Sequence, residues 1–182
     1  MRNALLIDLG GTNIRYASFI GNALSKISKE KIADEDFIPF LKELLEKEEE
    51  EIDCLVIAAA GPNNQSFINL TNRDLLIDSR ELRTKLNLKE CLLLNDWEAV
   101  AQSLSEMNQE CFIPIKRGAP SNENKLLIGP GTGLGVTLII KGQIIPTELG
   151  NTFSLTKGML ENFDLGDNKK FFSLENILSG PG

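Results

Sequence analysis

Residues 54–60 read Cys-Leu-Val-Ile-Ala-Ala-Ala, with no polar side chain to turn toward water. A run this apolar and this short suits a strand buried on both faces, inside a sheet flanked by helices. Residues 91–94 repeat the pattern, and the other elements fall into order around the two runs. Residues 3–8 form a short apolar strand ending in an acid, Gly10-Gly11 a turn, and 15–20 a returning strand. Residues 23–32 supply a third antiparallel strand. Phe37, Leu41, Leu44 and Leu45 share one face at three- and four-residue spacing, which predicts a helix. A second helix is expected over 80–88. A third begins at Asn95, with Trp97, Val100, Ala101 and Leu104 facing inward. The polar stretch 116–124 reads as a linker. Beyond it come strands at 126–128, 135–140 and 143–145, and a short helix over 173–178.

Histidine is absent from the 182 residues. That excludes a Ser-His-Asp or Cys-His pair and any zinc site that needs histidine. Acid–base chemistry must then come from Asp, Glu, Lys, Cys or the single Tyr. The net charge of −7, with no Lys/Arg stripe, argues against nucleic acid and anionic membrane as partners. No apolar run is long enough to cross a bilayer, and Asp8 lies too early for a signal peptide, so a cytoplasmic protein is expected. Cys54, Cys91 and Cys111 lie far apart and read as thiols rather than as a disulfide or metal set.

Three segments carry the chemistry. In Asp8-Leu9-Gly10-Gly11-Thr12-Asn13, two glycines let the backbone approach an anion, and their N–H groups with the Thr12 hydroxyl can cradle a phosphate. Asp8 stands where a carboxylate can hold Mg²⁺ through water. The alternative is a hairpin turn, for which Gly-Gly is favoured. In Gly129-Pro130-Gly131-Thr132-Gly133-Leu134-Gly135, glycines again alternate between apolar strands around a threonine, which suits phosphate contact better than a plain connection. The spacing fits neither a P-loop nor a dinucleotide fingerprint. One such loop in each of two lobes suggests a nucleotide clasped across a cleft. In Leu94-Asn95-Asp96-Trp97-Glu98, Asp96 follows an apolar strand and opens a helix, whose N-terminus favours the ionised carboxylate. Asn95 and Glu98 also have the spacing of a helix cap and its reciprocal partner. Nothing in the spacing around Glu148, Asn151 or Glu175 distinguishes them from solvated loop residues.

Taken together the segments resemble the bacterial glucokinase family of hexokinase-type sugar kinases. Asp8 to Asn13 match its DxGGTN loop, Asn95-Asp96 with Trp97, Ala99 and Val100 its NDFxAV motif, Gly129 to Gly135 its GxGTGLG loop, and Leu178 to Gly182 its LSGPG end. Residues 58–62 and Thr71-Asn72 fit the same order. The resemblance implies an α/β fold of the ribonuclease-H-like, actin-type ATPase class, with two lobes around a cleft. It implies phosphorylation of the 6-hydroxyl of glucose by ATP with Mg²⁺. Asp96 would be the general base, and Asn95, Glu148, Asn151 and Glu175 would bind the sugar. Asp8, Gly10, Gly11, Thr12, Asn13, Gly131, Thr132 and Gly133 would meet the nucleotide. It leaves a homodimer of the full-length protein open.

Two departures qualify this. The family segment Glu-Gly-Gly-His reads Glu148-Leu149-Gly150-Asn151 here, so an amide replaces a sugar-binding imidazole, and the substrate becomes glucose or a related hexose. Family members also continue past Gly182, so residues 1–107 are expected to form the small lobe and 108–182 the linker and an incomplete large lobe. The chain alone is then not expected to turn over at an enzyme-like rate. The rival readings are a non-catalytic sugar-binding or regulatory module and a kinase for another hexose.

Overall fold

The computed structural model describes residues 3–11, 13–61, 64, 66–70, 73–119, 121–131, 133–152, 157, 160–162 and 173–180. Contacts divide the chain into two compact units, Met1–Asp96 and Trp97–Gly182.

In the first unit β1 (Ala4–Leu9) and β2 (Ile14–Ile20) pair as an antiparallel hairpin. β3 (Ala23–Leu24) and β4 (Ser28–Glu30) both pair with β2, so the third antiparallel strand expected over 23–32 is broken in two. At the break the Ser25 hydroxyl accepts the Ser18 N–H at 2.8 Å, a side chain standing in for a backbone acceptor. α1 (Phe37–Lys47) buries Phe37, Leu41 and Leu44, the face its spacing marked out. The chain then enters β5 (Cys54–Ala59), parallel to β1. β6 (Phe67–Asn69) and β7 (Leu76–Asp78) form a small antiparallel ribbon that seats Ile68 and Ile77 in the same core.

α2 (Ser79–Lys85) starts on Asp78, whose carboxylate accepts the N–H groups of Arg80 and Glu81. It stops short of the expected Leu88, with Asn87 in a left-handed conformation, φ 52°, just beyond its end. β8 (Glu90–Asn95) then pairs parallel to β5. The sheet runs β3-β2-β1-β5-β8, with β4 also on β2. β8 ends that order, and Leu92 is 44% exposed while Cys91 and Leu93 are buried. The strand is therefore covered on one face rather than on both.

The second unit opens with the body of α3 (Asp96–Ser103). Of the side chains expected to face inward only Ala101 is buried, and Val100 is exposed. β9 (Lys125–Pro130), β10 (Leu134–Ile140) and β11 (Gln143–Thr147) form an antiparallel sheet with β10 in the middle. α4 (Leu174–Leu178) adds Leu174 to a small core with Leu134 and Val136, and Leu149 packs beside them. Trp97 explains why α3 groups with this unit. Gly129 and Gly135 are cross-strand partners, and the indole lies over both. A Cβ on Gly129 would fall 1.4 Å from Trp97 Cζ2, and one on Gly135 1.8 Å from Cδ1. The grouping thus changes after Asp96, the first residue of α3, whereas the sequence places the end of the first lobe at about Met107. Among the described residues no helix is long and apolar enough to cross a membrane.

Candidate active site

The parallel strands of the first unit stop level with one another. Leu9 pairs with Ala59, and Ala59 with Asn95. Gly10-Gly11 after β1, Gly61 after β5 and Asp96 after β8 therefore leave from the same edge of the sheet. That is the C-terminal edge, where open parallel sheets receive ligands. Asp96 is the first residue of α3, at the positive end of the helix dipole. The Asn95 amide next to it donates to the Gly61 carbonyl at 3.2 Å. Gly61 has φ 150°, and a Cβ there would lie 2.3 Å from the Asn69 carbonyl oxygen, so the position admits only glycine. The side chain that the resemblance assigns to the sugar is thus fixed by a glycine of the 58–62 segment.

Across the hairpin Asp8 faces Arg15, its register partner, and Arg15 Nη1 donates to Asp8 Oδ2 at 2.7 Å with both side chains half-exposed. Arg15 was not singled out in the sequence, although its place seven residues after Asp8, across a two-glycine turn, was the available signal. The Gly10 N–H donates to the Asn13 carbonyl at 2.9 Å, so it closes the turn instead of pointing outward to an anion. Gly11 is exposed, and Thr12 lies outside the described residues. Among the described residues no three His, Cys, Asp or Glu side chains converge as metal ligands. One carboxylate beside an arginine does fit a Mg²⁺ that arrives on phosphates and meets the protein through water.

In the second unit the glycine loop between β9 and β10 is held at several points. The Gly131 N–H donates to the Gly133 carbonyl at 2.8 Å, so it too shapes its own turn. The Gly180 N–H donates to the Gly131 carbonyl at 3.0 Å, and the Leu134 N–H donates to Glu175 Oε2 at 3.0 Å. Both ends of α4 therefore grip the loop. The helix itself starts on a capping box between Ser173 and Asn176. Glu175, assigned to a sugar hydroxyl, has one oxygen on the loop backbone, a contact that local spacing could not reveal. Thr132, Pro181 and Gly182 lie outside the described residues, as do Pro62, Thr71 and Asn72.

Glu148 and Asn151 meet each other, the Asn151 amide donating to Glu148 Oε2 at 3.2 Å around a 3-10 turn, Leu149–Asn151. That turn also sits on the loop, because a Cβ on Gly150 would lie 2.6 Å from the Leu134 carbonyl oxygen. The segments 129–135, 148–151 and 175–180 gather in the second unit, while 8–13, 61 and 95–96 gather in the first. Cys54 and Cys91 are buried free thiols and Cys111 an exposed one.

Known proteins fit this arrangement. The glucokinase family model matches residues 5–182. A glucokinase of Pseudomonas paraeruginosa is 28% identical over 202 residues, covering 98% of this chain and 57% of the relative. A glucokinase of Sinorhizobium medicae is 32% identical over 145 residues, covering 76% of the chain and 42% of the relative. The chain thus spans a little over half the length of the first of these. Among solved structures, a glucokinase from an Antarctic psychrotroph superposes with TM-score 0.70 at 22% identity, covering 100% of this chain and 62% of its own. A glucokinase from Balamuthia mandrillaris in complex with glucose gives 0.67 at 20%, covering 100% and 60%. At these identities the superpositions show the fold, the α/β actin-type ATPase fold of sugar kinases. With a family model matched from β1 to the last residue, and its motifs standing at the strand ends and loops just described, the chain belongs to the glucokinase family.

Proposed function

We propose that the protein carrying this chain transfers the γ-phosphoryl group of ATP to the 6-hydroxyl of glucose or a related hexose. The observation that carries the reading is the shared sheet edge at which Gly10-Gly11 and Asp96 stand. The Asp96 carboxylate takes the hydroxyl proton as the sugar oxygen bonds to the γ-phosphorus. The bond from that phosphorus to the β–γ bridging oxygen breaks, and ADP leaves with its electron pair. Asn95, pinned on Gly61, orients a sugar hydroxyl beside Asp96. Gly11, Thr12 and Asn13 in the first unit, and Thr132 and Gly133 in the second, serve the phosphates, while Gly10 and Gly131 close the two turns. Asp8 would hold a Mg²⁺ ion through water, and the ion would offset phosphate charge. Glu148, Asn151 and Glu175 serve sugar hydroxyls. Asn151 is shorter than the family histidine and is tied to Glu148, which favours a different ranking of hexoses. An ATP-dependent sugar kinase suits the cytoplasm, the compartment proposed here.

Asp96→Asn is the test. In the protein that contains these residues, kcat for sugar phosphate formation should fall at least about a hundredfold, the low end for a general base. Calorimetry should find hexose affinity retained. A near-normal kcat removes Asp96 from the mechanism, and hexose binding without turnover in the parent favours a non-catalytic sugar-binding module.

A further inference from the structure

We propose that Glu175 is a positioning residue for the phosphate loop. It holds the Gly133–Leu134 backbone in the shape that receives a triphosphate, whatever else it does toward the sugar. The proposal rests on the kinase reading above, which gives the loop its ligand. Three observations carry it. Glu175 Oε2 accepts the Leu134 N–H at 3.0 Å, a hydrogen bond to the first residue of β10. Gly133 leaves room for that carboxylate, since a Cβ there would fall 2.9 Å from the same oxygen. The helix bearing Glu175 is anchored independently of the bond, by the Ser173–Asn176 capping box, by Leu174 in the core, and by the Gly180 N–H on the Gly131 carbonyl. An acceptor mounted this firmly fixes the loop rather than following it.

The geometry makes reach, not charge, the working property of the side chain. Glutamine keeps an oxygen at the same distance from the helix, whereas aspartate keeps the charge and withdraws it by one methylene. A side chain that merely filled the niche of an absent phosphate would behave in the opposite way, because removing it would open the loop to the anion.

The experiment uses the full-length protein that contains these residues, with inorganic tripolyphosphate plus Mg²⁺ as probe and hexose binding measured alongside. Leu134 amide exchange by NMR reports the loop, and calorimetry reports the two ligands. In Glu175→Ala the Leu134 amide should exchange, and tripolyphosphate dissociate, each about tenfold more readily, the scale of one hydrogen bond. Glu175→Gln should restore both, and Glu175→Asp neither. If Glu175→Ala destabilises the second unit as a whole, the Gln and Asp variants still decide, because a charge requirement reverses their order. Unchanged Leu134 exchange in Glu175→Ala, rescue by Asp instead of Gln, or tighter tripolyphosphate binding without Glu175 overturns the proposal. A full-length parent that binds no tripolyphosphate overturns the kinase reading instead, while Leu134 exchange continues to judge whether Glu175 holds the loop.

Discussion

In the first unit Leu5, Leu9, Ile14, Leu41, Leu55 and Ile57 are almost wholly removed from solvent and join one core beneath the sheet. In the second, the buried cluster is Leu134, Val136 and Leu174, and Leu126, Ile128, Ile140 and Ile145 of its sheet stay exposed. What holds the second unit is of another kind. An indole lies on two glycines, a carboxylate takes a backbone N–H, and Gly180 closes on Gly131. Burying one large aliphatic side chain is worth about 1.5–3 kcal/mol, against about 0.5–1.5 kcal/mol net for a hydrogen bond. The first unit's stability is therefore spread over many interchangeable contacts. Among the described residues the second rests on fewer, and several of those also set the shape of the glycine loop. Stability and site geometry are separate matters in one unit and nearly the same matter in the other.

The largest effect should come from cutting the spread core. Ile57→Ala, at a fully buried position in β5, should lower stability by about 2–5 kcal/mol, read from the denaturant midpoint. Amide protection in β10 should hardly change. Equal loss of protection in both units would break the contrast, because it would mean that they unfold as one body.

A smaller but more local loss is expected from Gly135→Ala, which drives a methyl group into the Trp97 ring. Overpacking of this kind costs about 1–3 kcal/mol. Shrinking the ring with Trp97→Leu should recover part of it, with a coupling of about 0.5–3 kcal/mol in a double-mutant cycle. Thermal unfolding of the four proteins measures it. Strict additivity would show that the indole does not hold the strand pair.

The smallest effect is on the pH dependence of the first unit. Burial, with Cys54 nearby, pushes the Cys91 thiol from its ordinary 9.0 up to about 12. The folded chain thus keeps a proton that the unfolded chain gives up near pH 9, and above that pH the unfolded state binds fewer protons. Stability should be level in this respect below about pH 9 and should fall as pH rises toward 12. Midpoints at pH 8 and 10.5 for the parent and Cys91→Ala test the sign. A slope that survives the substitution belongs to other groups.

The units also differ in how far they could be read in advance. Phe37, Leu41 and Leu44 follow helical spacing, and 54–60 is apolar throughout, so α1 and β5 were legible from periodicity alone. β8 looked the same as β5 in sequence, but its place at the end of the strand order left Leu92 exposed, and no local pattern encodes strand order. The motif positions at Asp8 to Asn13, Asn95-Asp96 and Gly129 to Gly135 were visible as glycine turns and a strand-end acid. What joins them was not. Arg15 on Asp8, Asn95 on Gly61 and Glu175 on Leu134 are contacts between separate segments, set by register and by helix placement, and a single side chain meeting a backbone group leaves no period to detect.

Trp97 is the chain's only tryptophan, and its ring rests on the two glycines that begin and end the glycine loop. Indole emission responds to the polarity and packing around the ring. All of the chain's tryptophan fluorescence therefore originates at one spot, directly over the backbone whose shape matters. Anything that tightens, loosens or wets that loop should register as a change in intensity or wavelength, without an attached label and without background from a second indole. The packing that joins α3 to the β-sheet also makes the molecule its own optical gauge of the loop.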